Sequence, residues 1–233
     1  MYDFGALIIG VVFMIIGFAV STTLKRKFEK YSKTRHSSGL SGAEAAEKML
    51  NYHGIRDVKI VSVPGKLTDH YNPMDKTVNL SPEVYEGRNA AAIAVATHEC
   101  GHAVQHAKSY QWLTLRSKLV PLQNASGKIL NIVILASIFG GYGLFQAINV
   151  NFILYVLIAT YGMTTLFTFV TLPVEFDASN RALAWIKSTG SSSNEEYEQS
   201  KDALKWAAMT YVVAALASLT TLLYYISMLN RRD

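Results

Sequence analysis

Four stretches of this chain are too long and too apolar to be left in water, and their placement decides what the remainder can do. The first, "FGALIIGVVFMIIGFAV" (Phe4–Val20), carries no charge after Asp3 and approaches the ~20 residues that a helix needs to cross a bilayer. Two more, Ile129–Ile148 and Phe152–Leu172, are separated only by "NVN", which predicts a transmembrane helical hairpin. The fourth, Trp206–Leu229, has Tyr towards both ends, the placement of an aromatic belt at the membrane interface.

Charge flanking the first run sets the expected orientation. No Lys or Arg precedes it, whereas Lys25, Arg26, Lys27, Lys30, Lys33 and Arg35 follow it. A secretory signal peptide has the opposite order, so a retained anchor is expected, with Met1 outside and Lys25 in the cytoplasm. Two crossings separate the polar segments Ser21–Lys128 and Pro173–Lys205, which places both on the cytoplasmic side. Arg231 and Arg232 then fall outside, against the trend. The organisation expected is therefore an anchor (1–21), a cytoplasmic segment (22–128), a transmembrane hairpin (129–172), a second cytoplasmic segment (173–205) and a C-terminal transmembrane helix (206–229).

The formal net charge of +5 does not point to nucleic acid. The basic residues cluster beside the first run, where anionic lipid headgroups are the natural partner, and no nucleic-acid recognition motif is present. The lone cysteine, Cys100, excludes an intramolecular disulfide. A transporter would carry charges at mid-bilayer, and the four runs carry only Asn131, Gln146 and scattered Thr and Ser.

Between the first two runs the pattern is that of a small folded unit. Ser41 caps a helix that ends at Gly54. Asp57–Val63 and Lys76–Leu80 read as two short strands, expected to pair antiparallel. Ser81 followed by Pro82 opens a short helix, and a longer one is expected over Ala90–Ala107. The segment Ser188–Ser200, "STGSSSNEEYEQS", reads as a flexible cytoplasmic loop. His36 and His53 read as surface residues.

The chemistry is concentrated in "AVATHECGHAVQHAKSY" (Ala94–Tyr110). Residues at i and i+4 share a helix face about 6 Å apart along the axis, so His98 and His102 can address one ion. Glu99 reaches the same space without being a ligand. Beside a zinc ion, which lowers the pKa of water, such a carboxylate takes the proton as that water attacks a peptide carbonyl. A purely structural metal site, the kind a non-catalytic membrane scaffold or chaperone-like protein would carry, has no use for that base.

A catalytic zinc takes three protein ligands and keeps one position open. His106 lies about 12 Å along the axis from His98, too far to share the ion, and Cys100 points about 200° away. The longer histidine pattern fails, because Gln105 and Lys108 stand where its glycine and last histidine belong. An acid from "LPVEFDASNRALAW" remains: Glu175 is the expected third ligand, with Asp177 as the alternative or as a partner of a histidine.

Taken together, the anchor, "LTDHYNP" with "KTVNLS", "ATHECGHAVQHA", the hairpin and "PVEFDASNRAL" span nearly the whole chain in an order that resembles the membrane zinc metallopeptidases of the YugP type and, more distantly, the HtpX and CAAX prenyl protease group. The resemblance implies a mainly α integral membrane protein with about four transmembrane helices and a cytoplasmic, zincin-like α+β domain carrying a small β-hairpin. It also implies a gluzincin-like endopeptidase holding one catalytic Zn2+ on His98, His102 and Glu175, with Glu99 as general base and a peptide or membrane protein as substrate. In the HtpX-like families an Asp four residues after the glutamate ligand supports a ligating histidine. Here Ser179 stands in that place, leaving Asp177 or Asn180 for the role. The strand in "KTVNLS" is expected either at a sheet edge, holding an extended substrate, or in a structural hairpin covering the core, and His70, Tyr71 and Arg181 are the polar candidates for stabilising an oxyanion. Oligomeric state, the individual substrate and the choice of zinc over another divalent metal are open at this level.

Overall fold

A computed structural model describes residues 4–139, 149–190 and 192–231. The elements are α1 (Phe4–Ser32), α2 (Gly42–Tyr52), β1 (Lys59–Ser62), β2 (His70–Asn72), β3 (Thr77–Leu80), α3 (Pro82–Tyr85), α4 (Ala90–Ala107), α5 (Gln111–Phe139), α6 (Val150–Ser188) and α7 (Asn194–Asn230). They fall into two compact units, one of Met1–Phe18, Leu115–Leu172 and Tyr211–Asp233, the other of Ala19–Thr114 and Pro173–Thr210.

In the first unit lie the apolar parts of α1, α5, α6 and α7, four helices long and apolar enough to cross a membrane. Its α1 residues leave Phe4, Leu7, Ile8, Met14, Ile15 and Phe18 exposed, a surface that water would penalise and lipid would not. Within the unit Tyr161 and Tyr225 stack at 5.6 Å, and Thr168 Oγ1 lies 3.1 Å from Ser218 Oγ. The second apolar run belongs to a helix that begins at Gln111, well before Ile129. Arg116, Lys118 and Lys128 break the hydropathy there without breaking helix propensity. Residues 140–148, which complete the expected second span and lead into its hairpin turn, lie outside the described residues.

In the second unit a three-stranded sheet and the short helices pack on α4. The capping box expected at Ser41 is complete: its side chain accepts from the Glu44 amide and Glu44 reaches back to the Ser41 amide. Ala45, Ala46 and Met49 of α2 are fully buried together with Val78, Leu80, Ala96, Cys100 and Val104.

The sheet differs from expectation in two ways. The strands read from sequence, β1 and β3, pair in parallel, and the antiparallel partner of β3 is β2, a three-residue strand in a stretch whose Asp, Asn and Pro signal turn. The Asn72 side chain accepts from the Met74 amide at 2.9 Å, an Asx turn that reverses the chain into β3. The strand order β1-β3-β2 therefore makes "TVNL" the central strand and leaves β1 and β2 at the edges. The reason is burial: Val78 and Leu80 are wholly inside the core.

Two further expectations are corrected. Most of Ser188–Ser200 is helical, since α7 starts at Asn194. The cause is a second capping box, in which Glu196 N–H donates to Ser193 Oγ and Ser193 N–H to Glu196 Oε2. His36 is buried, 3% exposed, between Ser38 and Ser192. The Ser192 that closes over it is 156 residues away in sequence, so nothing local marked it as interior.

Candidate metal centre

All residues discussed here belong to the second unit. Helix α4 is capped by Asn89, whose side chain accepts from the Ala92 amide, and its alanines at 90, 91, 92, 94 and 96 are buried. Small side chains let neighbouring backbone come close. The closest approach is at Gly101, where a Cβ would stand 2.6 Å from the Ala178 carbonyl oxygen. Only glycine fits, and its absence of a side chain brings the Pro173–Arg181 stretch of α6 against the face of α4 that carries the histidines.

That approach assembles three donors. Glu175 Oε2 lies 3.3 Å from His98 Nε2 and 3.6 Å from His102 Nε2, and the three ligand atoms all fall within 4.8 Å of one another. Ligands about 2.05 Å from a tetrahedral zinc ion are separated by roughly 3.3 Å from each other, close to both separations from Glu175. Glu175 is 2% exposed and His102 8%. Among the described residues no other group of three His, Cys, Asp or Glu side chains meets this spacing.

The other ring nitrogens settle which atoms face the centre. His102 Nδ1 lies 3.0 Å from Gln105 Oε1. The Gln105 amide is oriented by its own Nε2, which donates to the Val174 carbonyl and to Asp177 Oδ2 at 2.8 Å each. Its oxygen therefore faces His102 and accepts from Nδ1–H, leaving the Nε2 lone pair turned towards Glu175. His98 Nδ1 is matched by Ser179 Oγ at 3.1 Å. The sequence expectation that Asp177 or Asn180 would replace the missing Asp is thus corrected. Ser179 itself contacts His98, Asp177 acts on His102 through Gln105, and Asn180 is exposed.

The electrostatics agree with that arrangement. Burial alone would lower the His102 pKa, but the Glu175 carboxylate and the charge of Glu99 raise it. Burial would likewise raise Glu175, which lies past the apolar run ending at Leu172, yet the facing His102 and His98 rings hold it well below the usual carboxylate range. An anionic oxygen held between two imidazoles is the charge pattern a divalent cation completes.

Glu99 follows His98 on the same helix, and its charge acts on His102. It is 8% exposed, and its Oε2 accepts from the Tyr71 main-chain N–H at 3.0 Å. The three oxyanion candidates are otherwise engaged. His70 Nδ1 meets the Thr68 carbonyl at 2.7 Å, the Tyr71 hydroxyl meets His106 Nδ1 at 2.8 Å, and Arg181 donates to Asp177 Oδ2 at 2.6 Å. Cys100 is buried against the Ala46 carbonyl, away from the donors. Gln105 and the positive role of Ser179 were missed from sequence.

The family model described as "Putative neutral zinc metallopeptidase" matches residues 6–230. The chain is 42% identical over 219 residues, 94% of each chain, to "Putative membrane protease YugP" of Bacillus subtilis (strain 168). No solved structure matches it.

Proposed function

The chain belongs to the family described as "Putative neutral zinc metallopeptidase", and on that premise we propose that it is a membrane-embedded zinc endopeptidase of the gluzincin kind. The observation that carries the reading is the convergence of His98, His102 and Glu175. In this reading His98 and His102 offer Nε2 and Glu175 a carboxylate oxygen to one zinc ion, with Ser179 and Gln105 fixing the two rings. Zinc bound there supplies Lewis-acid activation of water and of the substrate carbonyl.

The chain's own residues do the rest. Glu99 removes the proton from the attacking water and returns it to the leaving amine. The substrate is a peptide or a membrane protein, approached from the cytoplasmic face in the orientation that the basic flank of α1 supports, with the bilayer as the permanent partner of the four apolar helices.

Purified protein is expected to carry about one zinc per chain, in keeping with three protein ligands and one open position. His98→Ala loses the metal, while Glu99→Gln keeps it and cleaves casein about 10²–10⁴-fold more slowly. Full metal content in His98→Ala sinks the site, and full cleavage by Glu99→Gln sinks the base.

A further inference from the structure

Strand β2 pairs with β3 in the register His70 to Asn79, Tyr71 to Val78 and Asn72 to Thr77. Opposed residues in an antiparallel pair alternate between exchanging main-chain hydrogen bonds and turning those groups outward. The Tyr71 N–H donates to Glu99 Oε2 at 3.0 Å, so Tyr71 and Val78 form the outward-turned pair. The open edge of β2 thus directs an amide donor at the carboxylate in question. A second link reinforces the first. The Tyr71 hydroxyl meets His106 Nδ1 at 2.8 Å, and His106 lies two helical turns beyond Glu99 on the same face of α4. One residue of β2 is therefore fastened to α4 at two points about 10 Å apart along its axis.

Resting on the reading of Glu99 as the base, we propose that Tyr71 is the positioning residue for Glu99. Its main-chain N–H holds Oε2, which leaves Oε1 to meet the water proton, and its phenol, anchored on His106, keeps that amide in place. A glutamate side chain has several rotatable bonds, and a base free to sample them meets its proton less often. An amide donor fixed in a strand removes that freedom without adding a charge. This also accounts for two residues that metal ligation leaves unused. Tyr71 is turned to His106 rather than towards the metal donors, and His106, too far along α4 to be a ligand, becomes the strut.

Proline separates the amide from the side chain. At an edge position whose N–H is not in the ladder, proline is tolerated, so Tyr71→Pro and Tyr71→Ala both lack the ring while only the alanine variant keeps the donor. With casein as substrate, both are expected to retain zinc, and kcat of Tyr71→Pro is expected about tenfold below that of Tyr71→Ala, with KM within about twofold, as for loss of one hydrogen bond to a charged group. Tyr71→Phe and His106→Ala are expected to lower kcat equally and no further when combined. A readout independent of turnover is the Tyr71 amide resonance in full-length protein labelled with 15N-tyrosine and identified by its loss in Tyr71→Phe. It should exchange slowly with deuterium in the wild type and rapidly in Glu99→Ala. Rapid exchange in the wild type, unchanged exchange in Glu99→Ala, or equal kcat in the proline and alanine variants overturns the role of Tyr71. Undiminished cleavage by Glu99→Gln instead overturns the functional reading on which that role rests.

Discussion

Ser179 Oγ stands 3.1 Å from His98 Nδ1, although the two residues are 81 apart in sequence. A hydroxyl in that position fixes the ring so that Nε2 faces Glu175. Groups of this kind are worth about 10–100-fold in metal affinity. Ser179→Ala is therefore expected to weaken zinc binding by that factor, read by competition with a chelating dye, with the circular dichroism spectrum unchanged. Ser179→Asp should restore most of the affinity, because a carboxylate accepts from Nδ1–H more strongly. Equal affinity in wild type and Ser179→Ala contradicts the assignment.

Glu175 and Asp177 are separated by a single residue, yet they do different work. Glu175 Oε2 lies between the two imidazoles. Asp177 Oδ2 instead accepts from Gln105 Nε2 at 2.8 Å and from Arg181 Nε at 2.6 Å. Glu175→Ala is expected to abolish stoichiometric zinc, and Asp177→Ala to leave about one zinc per chain held 10–100-fold more weakly, both measured by elemental analysis after dialysis. If only Asp177→Ala strips the ion, the third ligand is the wrong acid.

The same distinction shows what the sequence could and could not reveal. Helix α4 was legible to its ends, because the alanines that follow Asn89 are helix formers, and His98 and His102 fall on one face by local periodicity alone. Glu175 could be reached by excluding His106 and Cys100 on helical geometry. Gln105 could not, since its partners Val174 and Asp177 lie about seventy residues away and nothing short-range distinguishes a buried glutamine from an exposed one. The sheet order failed for a related reason. β2 has three residues, too few for alternation to show, and it exists because β3 offers it a ladder. His36 failed likewise, its burial being created by Ser192 and Glu196 from the far end of the chain.

Gly101 tests how closely α4 and the start of the Pro173–Arg181 stretch must approach. A methyl group there meets the Ala178 carbonyl oxygen at 2.6 Å, and that oxygen is main chain, which cannot swing aside. Gly101→Ala is expected to destabilise by about 1–3 kcal/mol and to lose zinc, because Glu175 is carried away with Ala178. Gly127, also helical, has nothing within 4 Å of the same construction, so Gly127→Ala should be neutral or stabilising by up to about 1 kcal/mol. Thermal melts of the two variants in one detergent decide it: similar losses in both would mean that the close contact at Gly101 is not what matters.

Acid should loosen the buried join around His36. The Ser38 amide donates to His36 Nδ1 at 3.2 Å, Ser192 Oγ lies 3.1 Å from Nε2, and Glu196 Oε2 lies 3.7 Å from it. Burial lowers the His36 pKa below 6.5 against the pull of Glu196. Burial would raise Glu196, but hydrogen bonds from Ser37 and Ser193 and the nearby His36 hold it down to about 2. Both folded pKa values are depressed, so both groups contribute stability at neutral pH that is lost as protons bind preferentially to the unfolded chain. For His36 the loss begins as pH falls through 6.5, the unfolded value. For Glu196 it begins near 4.5 and runs down to about 2. The melting temperature of the wild type is therefore expected to fall between pH 7.5 and 5.5 by more than that of His36→Gln, which cannot take up the proton. Equal losses between pH 7.5 and 5.5 would show that His36 titrates alike in the folded and unfolded chain, and that its burial does not couple to the proton.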